Sequence, residues 1–255
     1  MSLIVEPIPA FSDNYIWLLH APGSDSACVV DPGDASPVER VLAERNLKLV
    51  AILVTHHHGD HVGGINTLTW NTDIPVFGPG DIPQVTHAVT GGDQLELLGQ
   101  WFQVFEVPGH TLDHIAFYCA DSSLLFCGDT LFAGGCGRLF EGSAAEMWQS
   151  LQRLAQLPGN TSVYCAHEYT QSNLRFALTV EPGNPKLQER ADQVNHLRSQ
   201  AMATVPSFLA EELQTNPFLR AANKDIKEAA ERFAGCSLDT PEDVFRVVRQ
   251  WKDGA

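Results

Sequence analysis

The cluster of histidines near residue 56 limits most strongly what this chain can fold into. An apolar run at residues 50–54 predicts a buried strand, and the sequence THHHGDH follows it at residues 55–61. Side chains alternate between the two faces of an extended segment, so we expect His56 and His58 on one face and His57 on the other. Two imidazoles on one face can bind one metal ion.

Further candidate ligands follow in the same region and after later strands. Asp60 and His61 lie where the chain turns towards a helix expected at residues 62–70, and they can bind a second ion. Three more share one context, a loop directly after a strand-like run: His110, Asp129 and His167. Strand ends gather along one edge of a sheet, where sites assemble. Five histidines and two aspartates therefore predict a centre for Zn²⁺, Fe²⁺ or Mn²⁺ rather than Ca²⁺.

Composition excludes several classes of protein. The 16 Lys and Arg residues against 31 Asp and Glu give a net charge of −15, which argues against nucleic-acid or anionic-membrane partners. No stretch approaches the roughly 20 apolar residues of a membrane span, and the N-terminal residues do not resemble a signal peptide. The six cysteines form no C-x-x-C pair. We therefore expect reduced thiols and a cytoplasmic protein.

The predicted secondary structure changes near residue 170. Before it, strand-like runs rich in Val, Ile and Phe alternate with Gly, Pro and Asp, at residues 27–30, 49–54, 101–107, 115–119, 124–127 and 162–165. Two hairpins are expected, 95–98 with 101–107 and 115–119 with 124–127. Capping boxes predict helices that begin at Ser36 and at Ser143. After residue 170 the pattern is helical, at residues 172–180, 186–201, 207–213, 224–233 and 241–251. We expect a catalytic α/β domain over 1–168 and a small all-helical domain over 169–255.

Four segments carry a resemblance to a known family. Residues 55–61 meet the motif T-H-x-H-x-D-H, and PGHT at 108–111, FCGDTLF at 126–132 and AHEY at 166–169 resemble later ligand segments. At these residues the sequence resembles the metallo-β-lactamase superfamily. The stretch GGCGRLFEG at 134–142 is similar to the narrower signature of its glyoxalase II (hydroxyacylglutathione hydrolase) branch, and the resemblance covers nearly the whole chain.

The resemblance implies an αββα metallo-β-lactamase sandwich with a small C-terminal all-helical domain that binds glutathione. It implies two divalent ions per chain, Zn²⁺ as the expected metal and Fe²⁺ or Mn²⁺ as alternatives. It assigns His56, His58 and His110 to one ion and Asp60, His61 and His167 to the other, with Asp129 bridging. It places glutathione against Arg138, Phe140, Tyr169, Arg249 and Lys252.

The implied activity is hydrolysis of S-D-lactoylglutathione and other S-(2-hydroxyacyl)glutathione thioesters to the hydroxy acid and glutathione. This is the second step of methylglyoxal detoxification. A hydroxide held between the two ions would attack the thioester, with Asp60 and Asp129 as catalytic carboxylates. The expected partner is the small-molecule thioester alone, and a monomer is expected.

Two positions depart from the family pattern. Phe140 stands where a tyrosine is frequent, and Asp113 stands where glycine is usual, between His110 and His114. We expect Asp113 to hold His114 or to change the metal preference. The main alternative is another hydrolase of the same fold, a lactonase or a broader thioesterase. A nuclease, a persulfide oxygenase and a metal-dependent sensing module are less favoured.

Overall fold

The computed structural model describes residues 2–255, which contain a mixture of strands and helices. Two compact units are present. Unit 1 comprises the residues up to 106 together with 113–128, and unit 2 comprises residues 107–112 and 129–255. No helix within 2–255 is both long and apolar enough to cross a bilayer. The expected division into residues 1–168 and 169–255 stays a prediction.

The first sheet of unit 1 joins an antiparallel hairpin to parallel strands. Its strands are β1 (Ile4–Ala10), β2 (Asn14–His20), β3 (Ser26–Val30), β4 (Lys48–Leu53), β5 (Val76–Gly78) and β6 (His87–Ala88). They are hydrogen-bonded in that order, antiparallel from β1 to β3 and parallel from β3 to β6. The hairpin of β1 and β2 is absent from the sequence-based expectations.

Three helices cover one face of this sheet. They are α1 (Ala35–Arg45), α2 (Gly59–Val62) and α3 (Ile65–Leu68). Val38 of α1 and Ile65 of α3 share one buried apolar cluster with Val29 and Ile52 of the strands. Burial of such side chains stabilises the fold by about 1.5–3 kcal/mol each. The ends of β3 and β4 are thereby held in fixed positions beneath the helices.

The other strands of unit 1 form an antiparallel meander. They are β7 (Gln94–Leu97), β8 (Gln100–Glu106), β9 (Ile115–Cys119) and β10 (Leu124–Gly128), and each pairs with the next. Phe102 and Val104 of β8 are buried and alternate with exposed neighbours, whereas β9 and β10 are buried along their whole lengths. Both expected hairpins are confirmed.

Unit 2 is mostly helical. A small hairpin of β11 (Leu131–Phe132) and β12 (Gly135–Cys136) precedes α4 (Ala144–Leu154), and β13 (Ser162–Cys165) pairs with β14 (Ser207–Phe208). The remaining helices are α5 (Thr170–Val180), α6 (Pro185–Ser199), α7 (Leu209–Thr215), α8 (Lys224–Ala234) and α9 (Pro241–Asp253). Thr240 caps α9 and Pro241 occupies its first turn, as is typical of a helix start.

Local expectations fail at two glycines and one cap. The helix expected over residues 62–70 is interrupted where the amide of Gly64 donates to the carbonyl oxygen of Pro32 at 2.9 Å. A Cβ on the neighbouring Gly63 would lie 2.7 Å from the carbonyl oxygens of Gly33 and Gly59, so only glycine fits there. The close approach of residues 32–35 therefore divides it into α2 and α3. Asp34, not Ser36, caps α1 by accepting a hydrogen bond from the Ser36 amide.

The two remaining outcomes concern unit 2. The capping box of Ser143 and Glu146 is confirmed. The segment expected as a helix over 207–213 begins instead as β14, because residues 207 and 208 pair with β13 before α7 starts.

Candidate active site

Strand β4 delivers two histidines of unit 1 to one place. His56 is buried, and its Nε2 lies 3.1 Å from Nδ1 of His58. His57 is exposed, and its Nδ1 lies 3.0 Å from Oδ1 of Asp113. The alternation expected for the extended segment is confirmed. It is His57 rather than His114 that Asp113 holds, which corrects that part of the expectation.

Helix α2 adds two more candidate ligands beside them. His61 is buried, with Nε2 3.6 Å from Oδ2 of Asp60. The rings of His56 and His61 have centroids 4.1 Å apart. Unit 1 therefore brings together all four ligands predicted between residues 56 and 61.

The three candidate ligands of unit 2 converge on one carboxylate. Oδ2 of Asp129 lies 3.4 Å from Nε2 of His110, and Oδ1 lies 3.3 Å from Nε2 of His167. All three side chains are buried. Each oxygen of Asp129 thus faces a different histidine, an arrangement compatible with a bridging carboxylate.

These spacings fit a divalent metal ion. Two nitrogen or oxygen ligands about 2.0–2.1 Å from one tetrahedral ion lie about 3.3–3.4 Å from each other. The separations of 3.1 Å, 3.3 Å and 3.4 Å described above are close to that value. Groups of His and Asp side chains able to hold a metal ion are therefore present in the described chain, and the protein uses divalent metal.

Asp31 is a site residue that the sequence interpretation missed. It is buried at the end of β3 with a φ of 53°. It accepts hydrogen bonds from the amide and hydroxyl of Thr55, at 2.7 Å and 2.8 Å, and it lies 3.0 Å from Nδ1 of His61. With a carboxylate beside Nδ1, Nε2 of His61 is left to face a metal ion, and carboxylates commonly lie next to ligating histidines in this way. Asp31 directly follows a strand, and this position could have identified it as a candidate site residue.

Asn14 and His114 also contact candidate ligands. Nδ2 of Asn14 donates to Oδ2 of Asp60 at 2.9 Å, and no sequence pattern indicated this. His114 is buried and stacks on His56, with ring centroids 4.5 Å apart. Its Nδ1 lies 3.0 Å from the carbonyl oxygen of Ile115, which fixes the ring next to the ligand.

Unit 2 contains a cavity beside two of these ligands. Its volume is about 400 Å³. All five predicted glutathione contacts line it together with two predicted metal ligands: Arg138, Phe140, Tyr169, Arg249, Lys252, His110 and Asp129. The structure therefore places together residues that the sequence separates by more than one hundred positions.

Arg249 and Lys252 of α9 are held differently from side chains at a solvated helix end. Arg249 is buried and donates to the carbonyl oxygen of Cys136 at 2.9 Å, whereas its Nε has no hydrogen-bond partner among residues 2–255. Lys252 donates to the carbonyl oxygen of Ser172 at 3.3 Å. Burial lowers the pKa of Lys252, and the nearby charges of Arg249 and Arg175 lower it further.

The remaining cavity residues surround the histidines. Tyr169 stacks on His167, with centroids 4.7 Å apart and planes 6° apart. Phe140 is 61% exposed, and its ring meets that of His110 edge-on at 5.2 Å. The carbonyl oxygen of Arg138 lies 2.8 Å from Nδ1 of His110. Tyr169 and Phe140 thus touch the predicted ligands as well as the cavity.

One thiol, that of Cys136, lines the cavity and is buried. Burial raises its pKa to about 11, although the charge of Arg249 acts in the opposite direction. Five of the six cysteines are buried, Cys236 is exposed, and all are free thiols. Only the thiolate is strongly nucleophilic, so the raised pKa disfavours Cys136 as a nucleophile.

Sequence comparison decides the family. Residues 168–255 match the family model described as "Hydroxyacylglutathione hydrolase C-terminus", and residues 11–85 and 77–167 match "Metallo-beta-lactamase superfamily". A curated protein of Pseudomonas aeruginosa (strain LESB58), named hydroxyacylglutathione hydrolase, is 54% identical over 253 residues, which is 98% of each chain. The chain belongs to the hydroxyacylglutathione hydrolase family. The expected resemblance is confirmed, and the protein is a hydrolase of the metallo-β-lactamase superfamily.

Comparison with solved structures supports the fold. The structure of ETHE1 from Myxococcus xanthus matches with a TM-score of 0.65 and 24% identity, covering 99% of this chain and 98% of that one. TTHA1623 in a di-iron-bound form matches with a TM-score of 0.55 and 29% identity, covering 64% and 91%. The expected metallo-β-lactamase fold with C-terminal helices is confirmed.

Proposed function

We propose that this hydrolase cleaves S-D-lactoylglutathione and related S-(2-hydroxyacyl)glutathione thioesters to D-lactate, or the matching hydroxy acid, and glutathione. This would be the second step of methylglyoxal detoxification. The observation that carries the proposal is the cavity of unit 2, where His110 and Asp129 share about 400 Å³ with Arg138, Arg249 and Lys252. A small anionic molecule in this cavity would lie near predicted metal ligands and three cationic side chains, which supports the proposal.

The proposed metal centre contains two divalent ions. His56, His58 and His110 are assigned to one ion, Asp60, His61 and His167 to the other, and Asp129 to both. The separations between ligand atoms within each unit support this assignment. Zn²⁺ is the proposed metal, with Fe²⁺ and Mn²⁺ as alternatives that these ligands also suit. When bound, such ions lower the pKa of a water molecule and polarise a carbonyl oxygen.

The side chains around the centre keep the reacting groups oriented. Asp60 and Asp129 are the proposed catalytic carboxylates. Nδ2 of Asn14 donates a hydrogen bond to Oδ2 of Asp60 and so orients that carboxylate. The leaving group is a thiolate, whose conjugate thiol has a pKa of about 8.5, so it needs no strong general acid.

The cavity supplies the charge that a glutathione thioester requires. Glutathione is anionic at neutral pH, whereas the chain carries a net charge of −15. Arg138, Arg249 and Lys252 give the cavity local positive charge, and the planar guanidinium of arginine suits carboxylates. Phe140 offers an aromatic face without a hydroxyl, so this position contributes packing rather than a hydrogen bond.

The domain roles and cellular context are part of the same proposal. Residues 1–168 would form the catalytic domain and residues 169–255 the glutathione-binding domain. The enzyme would act as a cytoplasmic monomer without nucleic-acid or membrane partners. The free cysteines support a reducing compartment.

Metal content and turnover measured on one sample test the proposal. The protein is purified without chelator, its metals are counted by elemental analysis, and loss of S-D-lactoylglutathione is followed before and after chelation. We expect about two ions per chain and thioester hydrolysis that chelation abolishes and Zn²⁺ or Fe²⁺ restores. Two ions without thioester hydrolysis would favour the lactonase or broader thioesterase. One iron with oxygen consumption would favour the persulfide oxygenase.

A further inference from the structure

The hairpin of β11 and β12 is held by side chains that follow it by about eighty residues. Nδ2 of Asn216, directly after α7, donates to the carbonyl oxygens of Phe132 and Gly135, at 3.2 Å and 2.9 Å. The amide of Gly134 donates to Oε2 of Glu212 at 2.8 Å. Nδ2 of Asn216 also lies 3.0 Å from the same Glu212 oxygen. The side chain of Asn216 thus donates to the hairpin turn, and the side chain of Glu212 accepts from it.

Neither Glu212 nor Asn216 can turn its side chain away from the hairpin. Asn216 and Glu212 are fully buried. Oδ1 of Asn216 accepts from the amide of Phe218 at 3.0 Å, and the second oxygen of Glu212 pairs with the buried guanidinium of Arg190. Arg190 also donates to the hydroxyl of Thr215 at 2.7 Å. A buried network in which every member is bonded is rigid, because any rotation leaves a polar group unpaired.

The two ends of the hairpin contact the two histidines that share Asp129. The ring of Phe132, in β11, meets the ring of His167 edge-on with centroids 5.9 Å apart. Arg138, two residues after β12, accepts at its carbonyl oxygen from Nδ1 of His110 at 2.8 Å. Gly137 follows β12, and the chain there passes very close to Asp129. A Cβ on Gly137 would lie only 1.9 Å from the carbonyl oxygen of Asp129. A shift of the hairpin would therefore displace contacts to all three of these ligands.

We propose that Asn216 and Glu212 are positioning residues, which set His110 and His167 for metal and substrate through the β11–β12 hairpin. The inference rests on the proposed metal-dependent thioesterase function and adds to it a role for the helical part of unit 2. Neither residue lines the substrate cavity, so neither is a catalytic residue. Their effect on metal binding passes through Phe132 and Arg138.

The substitution Asn216→Ala tests the proposal, with Glu211→Gln as the matched control. The alanine variant removes the amide group that donates to Phe132 and Gly135 without adding a new group. Glu211 lies on α7 and pairs with Nε of Arg190 at 3.2 Å, but among the described residues no hydrogen bond joins its side chain to the hairpin. Each variant and the wild type are prepared as apoprotein and shown to be folded by circular dichroism at the assay temperature.

Two measurements then distinguish positioning from a merely structural role. Zn²⁺ affinity is measured by competition with a chromophoric chelator, and the absorption spectrum of the Co²⁺-loaded protein reports ligand geometry. We expect Asn216→Ala to bind Zn²⁺ at least tenfold more weakly, which is the scale of losses at residues that orient metal ligands. We expect a changed Co²⁺ spectrum and a raised KM for S-D-lactoylglutathione. Glu211→Gln should stay within about twofold of the wild type, since it leaves the hairpin contacts intact.

The outcomes separate this inference from the proposed function. A folded Asn216→Ala protein with the Zn²⁺ affinity, Co²⁺ spectrum and KM of the control, even with a lower Tm, would overturn the positioning role. A wild-type protein that binds no metal and hydrolyses no thioester would overturn the proposed function instead. If Asn216→Ala does not fold, Asn216→Ser, which keeps one donor, should show a loss of at least about threefold in the same direction. Wild-type values for the serine variant would refute the inference.

Discussion

Replacement of Asp31 by asparagine tests how unit 1 prepares its metal ligands. Oδ1 of Asp31 accepts from the Thr55 amide, and Oδ2 faces both the Thr55 hydroxyl and Nδ1 of His61. Asparagine keeps the shape and one acceptor, but its amide NH₂ must replace one of the two oxygens. If the asparagine oxygen still accepts from the Thr55 amide, the asparagine NH₂ group faces the Thr55 hydroxyl and Nδ1 of His61, two groups that face an acceptor in the wild type.

The size of the effect follows from that conflict. The Thr55 hydroxyl can rotate and accept, but His61 can accept at Nδ1 only by carrying its proton on Nε2. A protonated Nε2 cannot bind a metal ion. Metal binding must then break the new hydrogen bond or leave a buried donor unpaired, at a cost of about 1–3 kcal/mol. We therefore expect Zn²⁺ to bind about 10- to 100-fold more weakly.

The assay measures the Kd for Zn²⁺ of the apoprotein by competition with a chromophoric chelator near neutral pH. Asp34→Asn is the matched control, because it makes the same chemical change three residues later. Asp34 caps α1 through the Ser36 amide at 2.9 Å, and asparagine caps a helix equally well. The reasoning would be refuted if Asp31→Asn bound Zn²⁺ as tightly as Asp34→Asn.

Three other predictions concern the cavity and one helix. Burial and the charges of Arg249 and Arg175 lower the pKa of Lys252. As pH rises, Lys252 therefore loses its positive charge at a lower pH than an ordinary lysine does. The KM for the anionic thioester should rise over the pH range in which this charge is lost. In a profile of KM against pH, Lys252→Arg should move that rise to higher pH. Arg249→Ala should raise KM by about tenfold and more than it lowers kcat in steady-state kinetics, because it removes a buried cation that lines the cavity; equal changes in the two would contradict this. Ser143→Ala removes the capping box with Glu146 and should lower the free energy of unfolding by about 1 kcal/mol in urea titrations, with KM unchanged.

The sequence indicated seven candidate ligands because most of them directly follow a strand, and the structure brings the candidates of each unit close together. The alternation rule separated His57 from His56 and His58, and the structure gives the same result. Secondary structure was predicted well where apolar runs are bounded by turn residues, as in β9 and β10. It was predicted less well at Gly63, where a close backbone approach rather than local propensity ends the helix.

The residues that support the ligands could not be found in this way. Asn14 reaches Asp60 across 46 positions, and Asn216 reaches Phe132 across 84. Both contacts involve a side-chain amide, which has no characteristic spacing and is equally common in turns. Only the tertiary fold brings such groups to their partners. Asp31 differs, because its position after β3 is the same context that identified Asp129.

Charge illustrates why composition constrains some partners and not others. The many phosphates of a nucleic acid would lie along the surface of a chain with net charge −15 and would be repelled by it. This disfavours an extended anionic partner. A small anion in the cavity is affected mainly by groups within a few ångströms, because the Debye length is about 8 Å at physiological ionic strength. There Asp253 accepts hydrogen bonds from both Arg138 and Arg249, at 3.3 Å and 3.0 Å, so one carboxylate holds two cations towards the same space. The acidic composition therefore argues against nucleic acid while leaving this cavity suited to an anionic thioester.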